Sequence, residues 1–168
     1  MRRVILGASL LLAACVAKDP APAGYRDPAR MISSSTAFDP ARFQGDWQVV
    51  AAFGAGAACG VLGESWAADA AGFGIRGTAC RAGGKHGFAT RGRLSGPGRV
   101  VRDGPRGPEE QWILWVDGDY RVAAVGTPSG AFGHILARPG MARADLINAA
   151  REVMDFNGYD ISRLVVLQ

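Results

Sequence analysis

Gly45-Asp46-Trp47-Gln48-Val49-Val50-Ala51-Ala52-Phe53 is the stretch on which the fold turns: a glycine and an indole at the head of a β-branched, apolar run, a strand by composition. Just before it, Phe38-Asp39-Pro40-Ala41-Arg42-Phe43 reads as one short helical turn. After it, short apolar stretches recur over 59–68, 71–80, 86–94, 98–102, 111–117, 119–126 and 131–137. Turn signals separate them, among them Gly83-Gly84, Ser95-Gly96-Pro97-Gly98, Asp103-Gly104-Pro105 and Asp117-Gly118. Eight short strands in series predict an all-β sandwich or an up-and-down antiparallel barrel. The 24 glycines have no Gly-x-y period, which excludes collagen and suits many tight turns.

One helix interrupts the strands. Within 141–157, Leu146, Ile147, Ala150, Val153 and Met154 form one apolar stripe, opposite Arg143, Asp145, Asn148, Arg151, Glu152 and Asp155. Gly158 follows as a C-cap, and Leu164-Val165-Val166-Leu167 reads as a final strand. Such a helix is expected to bury its stripe against the outside of a barrel. The chain has 168 residues, enough for one domain with a core.

The N-terminus reads as an export signal. Arg2 and Arg3 precede a short apolar run, Val4–Leu12, too short to span a bilayer. The run ends in Leu12-Ala13-Ala14-Cys15, which resembles a bacterial lipobox, where the cysteine is acylated and becomes the first residue. That resemblance implies a signal peptide over 1–14 and a palmitate-type anchor on Cys15. Val16, which is not Asp, implies sorting to the outer membrane; the reading as a lipid binder sets the domain on its periplasmic face, which the sequence alone leaves open. Residues 15–37, rich in Pro, Ala and Ser, are expected to be a flexible tether, with the folded domain over 38–168. Without Arg2 and Arg3 the 19 basic residues fall to 17 against 15 acidic ones, and no basic stripe interleaved with aromatics points to nucleic acid. With Cys15 acylated, Cys59 and Cys80 remain as a pair in an oxidising compartment, which reads as a disulfide.

Strands, late helix and final strand together resemble the lipocalins, of the bacterial outer-membrane lipoprotein type. Gly45-x-Trp47 looks like the family's G-x-W. Asp117-Gly118-Asp119-Tyr120 looks like its Thr-Asp-Tyr turn with Gly for Thr, and Arg138 like the basic residue that packs over the G-x-W tryptophan. Gly158-Tyr159-Asp160-Ile161-Ser162 is similar to the stretch that follows the helix in those bacterial proteins. The resemblance implies an eight-stranded up-and-down antiparallel barrel with one C-terminal helix packed outside, and structural roles for Gly45, Trp47 and Arg138.

If the strands run up and down, Trp47 plugs the closed end, and the connections near 54–58, 81–87, 103–110 and 126–131 lie at the mouth. If Asp69-Ala70 is the hairpin tip, Cys59 falls opposite Cys80 and Trp66 opposite Phe73; a tip at Ala70-Ala71 shifts that register. Alternation from Trp47 sends Val49, Ala51 and Phe53 inward. Counting back from Arg138 puts Leu136, His134 and Phe132 on one face. Trp66, Phe73 and Tyr120 complete the candidate ligand-binding set with Phe53, Phe132 and His134. Strand 112–116 is apolar on both faces, so Trp112/Leu114 and Ile113/Trp115 stay open as the inward pair.

A slightly basic rim of Arg81, Lys85, His86, Arg102 and Arg106 above an apolar cup suits an amphiphile with an anionic head, a fatty acid or lysophospholipid. No catalytic or metal motif stands out, so no catalytic residue, metal or cofactor is expected, and the chain reads as a membrane-anchored lipid binder and not an enzyme. Two other readings remain: an envelope lipoprotein whose barrel is filled by its own side chains, and a lipid-modifying enzyme of lipocalin type.

Overall fold

A computed structural model describes residues 24–54, 59, 62–81, 84–104 and 107–167. Cys15 and the expected signal peptide lie outside the described residues, as does Arg106. A short helix α1 (Pro40–Phe43) leads into β1 (Gly45–Ala52), followed by β2 (Leu62–Asp69), β3 (Gly72–Arg81), β4 (Gly84–Gly96), β5 (Arg99–Gly104), β6 (Gly107–Val116), β7 (Val122–Gly126) and β8 (Gly133–Ala137). Helix α2 (Ala144–Phe156), a 3-10 turn (Ile161–Arg163) and the short β9 (Val165–Val166) complete the chain. Strands β1 to β8 pair antiparallel in sequence order, and β1 also pairs with β8, so the sheet closes into an eight-stranded barrel with α2 outside. Strand β9 adds to the free upper edge of β1, at Ala51 and Ala52.

The turns sit where turn chemistry placed them. Asp69 accepts the Ala71 N–H at 2.8 Å across the β2–β3 tip, and the β3–β4 and β5–β6 ladders run up to Arg81 opposite Gly84 and Gly104 opposite Gly107. The Asp117 carboxylate accepts from the Arg121 N–H (2.6 Å) and the Val122 N–H (2.7 Å), shaping a turn that holds Tyr120 at a φ of 59°. The end of β1, the start of β2, the facing ends Arg81/Gly84 and Gly104/Gly107, and the loop 127–132 thus lie at one end, the mouth, and the other turns at the closed end.

Two bulges decide which side chains face in. Register along β1 slips between Val49, opposite Leu136, and Ala51, opposite Ile135. One extra residue reverses the alternation, so Trp47, Val49 and Ala52 join the interior cluster while Val50, Ala51 and Phe53 pack outside, under α2. The expected inward set of Ala51 and Phe53 is corrected accordingly. A second bulge, between Ile113 and Trp115 on β6, puts Ile113 and Val116 inside and leaves Trp112, Leu114 and Trp115 on the helix side.

Helix α2 buries Ala150 and Met154, with Leu146, Ile147 and Val153 half-buried, against the outer faces of β6 to β8. Gly158, at a φ of 87°, turns the chain off the helix. Tyr159 then reaches back: its hydroxyl accepts the Thr127 N–H (2.8 Å) and donates to the Phe132 carbonyl (2.9 Å). Gly126 is needed beneath it, because a Cβ there would fall 2.5 Å from that hydroxyl.

Residues 24–37 are not a tether but a strap. The Tyr25 N–H donates to Gly130 O (2.6 Å), the Asp160 N–H to Tyr25 O (2.8 Å) and the Ser35 N–H to Ile113 O (2.8 Å). The buried Arg26 guanidinium donates to the carbonyls of Asn157 (3.0 Å), Pro128 (2.7 Å) and Arg30, tying helix end and mouth loop together. Backbone pairing and one arginine dock this segment, so its low apolar content concealed the docking.

Candidate ligand site

The closed half of the barrel is solid. Phe43 stacks on Trp47 at 4.7 Å between centroids, and meets Trp66 edge-on at 5.2 Å. Trp66 meets Phe73 in the same way at 5.2 Å, and Ile75 and Phe38 fill the remainder. Tyr120 seals the bottom: its hydroxyl accepts the Asp39 N–H (2.7 Å) and donates to Ala37 O (3.3 Å), while Arg42 lies 4.2 Å from its ring centroid. Trp66, Phe73 and Tyr120, named from the sequence as ligand contacts, are therefore placed in a packed floor and not on the cavity above it. Period-2 alternation reports direction but not height along the barrel axis.

Above that floor opens a cavity of about 220 Å³. Val49, Ala52, Leu62 and Phe88 give it apolar walls; Glu64, Arg102 and His134 bring polar groups to it, and Phe132 stands at its upper side. Of the residues expected at the ligand, the structure brings Phe132 and His134 together here, with their rings stacked at 5.6 Å. Phe53 reaches only the margin, because its ring is held outside between Tyr25 and Tyr159, 5.3 Å from each.

The Cys59–Cys80 disulfide closes one edge of the cavity, with the two Cα atoms 5.6 Å apart. The hairpin tip is Ala70-Ala71, so Trp66 pairs with Ile75 and not with Phe73, and the two cysteines are not ladder partners. The β2–β3 ladder ends at Glu64 opposite Gly77, and the segment entering β2 brings Cys59 to Cys80 instead.

Charge is arranged unevenly around the cavity. Arg102 on β5 pairs with Glu109 on β6 (3.4 Å) and lies between the rings of Phe88 (5.9 Å) and Phe132 (5.7 Å). Glu64 is 7% exposed and accepts one hydrogen bond, from Trp66 Nε1 at 3.0 Å. Burial holds the His134 imidazole below its ordinary pKa; Glu64 pulls it up and Arg102 pushes it down. Among the described residues its Nε2 has no hydrogen-bond partner, and neither amide atom of Gln111 has one. Gln111 faces inward with its ladder partner Val100, one inward position below the Arg102–Glu109 pair.

Sequence reasoning missed Glu64, Phe88 and Gln111, and set Arg102 on the outer rim. Counting back two positions from the inward Trp66 reaches Glu64, a signal that was present but masked by the habit of reading charged residues as outward. Two wider hollows adjoin the cavity at the mouth. One, of about 330 Å³, is bounded by Arg81, Phe88, Arg102 and Glu109. The other, of about 590 Å³, lies between the β5–β6 hairpin and the β7–β8 loop, against Glu109, Thr127 and Phe132.

Comparison with known proteins agrees with this architecture. Residues 98–168 match the family model of the Lipocalin-like domain. Among solved structures, apocrustacyanin C2 superposes with a TM-score of 0.63 at 13% identity, over 82% of this chain and 88% of that one. Apocrustacyanin C1 gives 0.61 at 14% identity, over 75% and 77%. Lipocalin 12 from rat epididymis gives 0.63 at 15% identity, over 82% and 89%. At such identities these proteins share the fold with this chain, and the fold is that of the lipocalins. No curated protein sequence matches the chain.

Proposed function

We propose that this protein is a lipocalin that holds a compact amphipathic molecule in the open half of its barrel, tethered to a membrane through acylated Cys15. The observation that carries the reading is the division of the barrel interior. Below Trp66 and Ile75 it is filled by interlocked rings; above them it is hollow with apolar walls, and among the described residues His134 Nε2 at the cavity and the inward Gln111 amide find no hydrogen-bond partner. A barrel filled for structure alone has no reason to leave polar atoms unpaired in its middle.

Room for an extended chain ends at the floor, and the inner cavity of about 220 Å³ lies below the roughly 300–1,000 Å³ usual for drug-sized ligands. The ligand body is accordingly short, or it continues outward into the mouth hollows. Short fatty acids, lysophospholipids and other small amphiphiles belong in one binding panel. Native mass spectrometry of the protein purified from membranes should show a bound small molecule that is lost on denaturation. Release of nothing, together with no saturable binding across the panel, would leave the filled-barrel reading in its place.

A further inference from the structure

The geometry points to the head group of this ligand: a positively charged nitrogen, such as a primary ammonium, that enters first and docks on Glu64. The inference rests on the reading that the open half of the barrel binds a compact amphiphile, and it names the class. Glu64 stands on β2 directly opposite Trp47 and Gly77, so its side chain faces into the barrel, and it borders the cavity. Among the described residues no cation forms an ion pair with it; its one hydrogen bond comes from the neutral indole N–H of Trp66. A carboxylate withdrawn from water is costly unless a cation or several donors compensate it. Among the described residues, compensation stops at one donor.

The other charged groups do not change the sign. Arg102 is already matched by Glu109 and flanked by two rings. His134, kept neutral by its burial, adds no positive charge and offers an imidazole with an unpaired nitrogen as a second polar contact. The cavity wall therefore carries one uncompensated negative charge under an apolar collar of Leu62, Phe88 and Phe132. An ammonium with a short hydrocarbon body is complementary to that distribution. A carboxylate or phosphate head placed at the same depth meets repulsion from Glu64.

The test uses the full-length protein in lipid nanodiscs, with empty nanodiscs as the blank, titrated calorimetrically with hexylamine, hexanol and hexanoate. These share one apolar body and differ in head charge. Hexylamine is expected to bind about tenfold tighter than hexanol, the scale of a hydrogen bond to a charged group in a partly dry site, with hexanoate weakest. Glu64→Gln keeps an acceptor for the Trp66 N–H and should erase the preference for hexylamine while leaving hexanol binding in place. Hexanoate binding as tightly as hexylamine in the wild type, or an unchanged order in Glu64→Gln, overturns the inference and leaves the ligand-binding reading standing. Absence of binding by all three overturns both. The wild-type order alone decides if the variant fails to fold.

Discussion

The guanidinium carbon of Arg138 lies 3.9 Å from the centroid of the Trp47 indole, covering the ring that plugs the closed end of the barrel. Its nitrogens donate to the carbonyls of Tyr120 (3.2 Å) in the β6–β7 turn, Asp46 (3.1 Å) at the start of β1 and Arg42 (3.0 Å) in α1. Gly45, at a φ of 101°, leaves room for this: a Cβ there would sit 3.0 Å from Arg138 Nη1. One side chain thus clasps the chain entering β1, the turn before β7 and the end of β8. Arg138→Ala should lower the unfolding free energy by about 2–3 kcal/mol, from a lost cation–π contact and several charge-assisted hydrogen bonds. Arg138→Lys should recover only part, since an ammonium cannot reproduce the planar fork. Denaturant unfolding with the disulfide intact measures both, and equal stability of wild type and Arg138→Ala would refute the clasp.

Much of this frame was open to reading because it is written in local chemistry. Glycine and aspartate at the turns, a two-residue period in the strands and an apolar stripe on α2 together fix which end of each strand is which. What escaped depends on single-residue events with no local signature. The bulge after Val49 swaps Ala51 for Ala52 in the interior, yet the run Val49-Val50-Ala51-Ala52 is apolar on both faces and hides the slip. The strap was missed because Tyr25 and Arg26 sit among residues typical of linkers. The floor was mistaken for a cup because alternation cannot tell a ring at mid-height from one at the base.

Gln111 is fully buried, and neither end of its amide is paired. Gln111→Met keeps the length and removes the unpaired groups, so the ligand-free protein should gain about 1 kcal/mol in stability. The gain would be read as a higher denaturant midpoint at unchanged slope. A loss of similar size would mean that the amide is satisfied in solution.

Burial depresses the pKa of His134, with Glu64 and Arg102 as the charges that face it. The unfolded chain therefore takes up the proton before the folded one does. The stability tied to this depression is fully present above the unfolded imidazole range, near pH 6.5, and is lost as the pH falls toward the folded value. His134→Phe should flatten that part of the acid limb. Unfolding curves at several pH values between about 7.5 and 5 compare the two proteins, and parallel curves would show that His134 titrates freely.

Cys15, which precedes the strap, is the proposed anchor. Cys15→Ala, expressed in a bacterial host, should abolish labelling by radioactive palmitate and move the protein from the membrane to the soluble fraction. Retained labelling would place the lipid elsewhere than on Cys15.

The bulge in β1 offers a paired test of where the ligand sits. Ala52 is opposite His134 on the inner face and lines the cavity, whereas Ala51, its immediate neighbour, is 1% exposed in the layer beneath α2. An indole at position 52 projects into the space beside Leu62 and His134. Ala52→Trp should therefore weaken binding of the small amphiphile at least about tenfold, with a modest effect on folding, because the hollow absorbs much of the added volume. An indole at position 51 meets Ile135 and the helix layer with no space to enter. Ala51→Trp should cost about 1–3 kcal/mol of stability by overpacking and leave affinity near that of the wild type wherever the protein stays folded. Strict alternation from Trp47 would assign the two effects the other way round. Measuring midpoint and affinity for both variants thus separates the bulged register from the regular one: loss of binding in Ala51→Trp with normal binding in Ala52→Trp would count against the bulge, and unchanged affinity in both would count against the cavity as the ligand site.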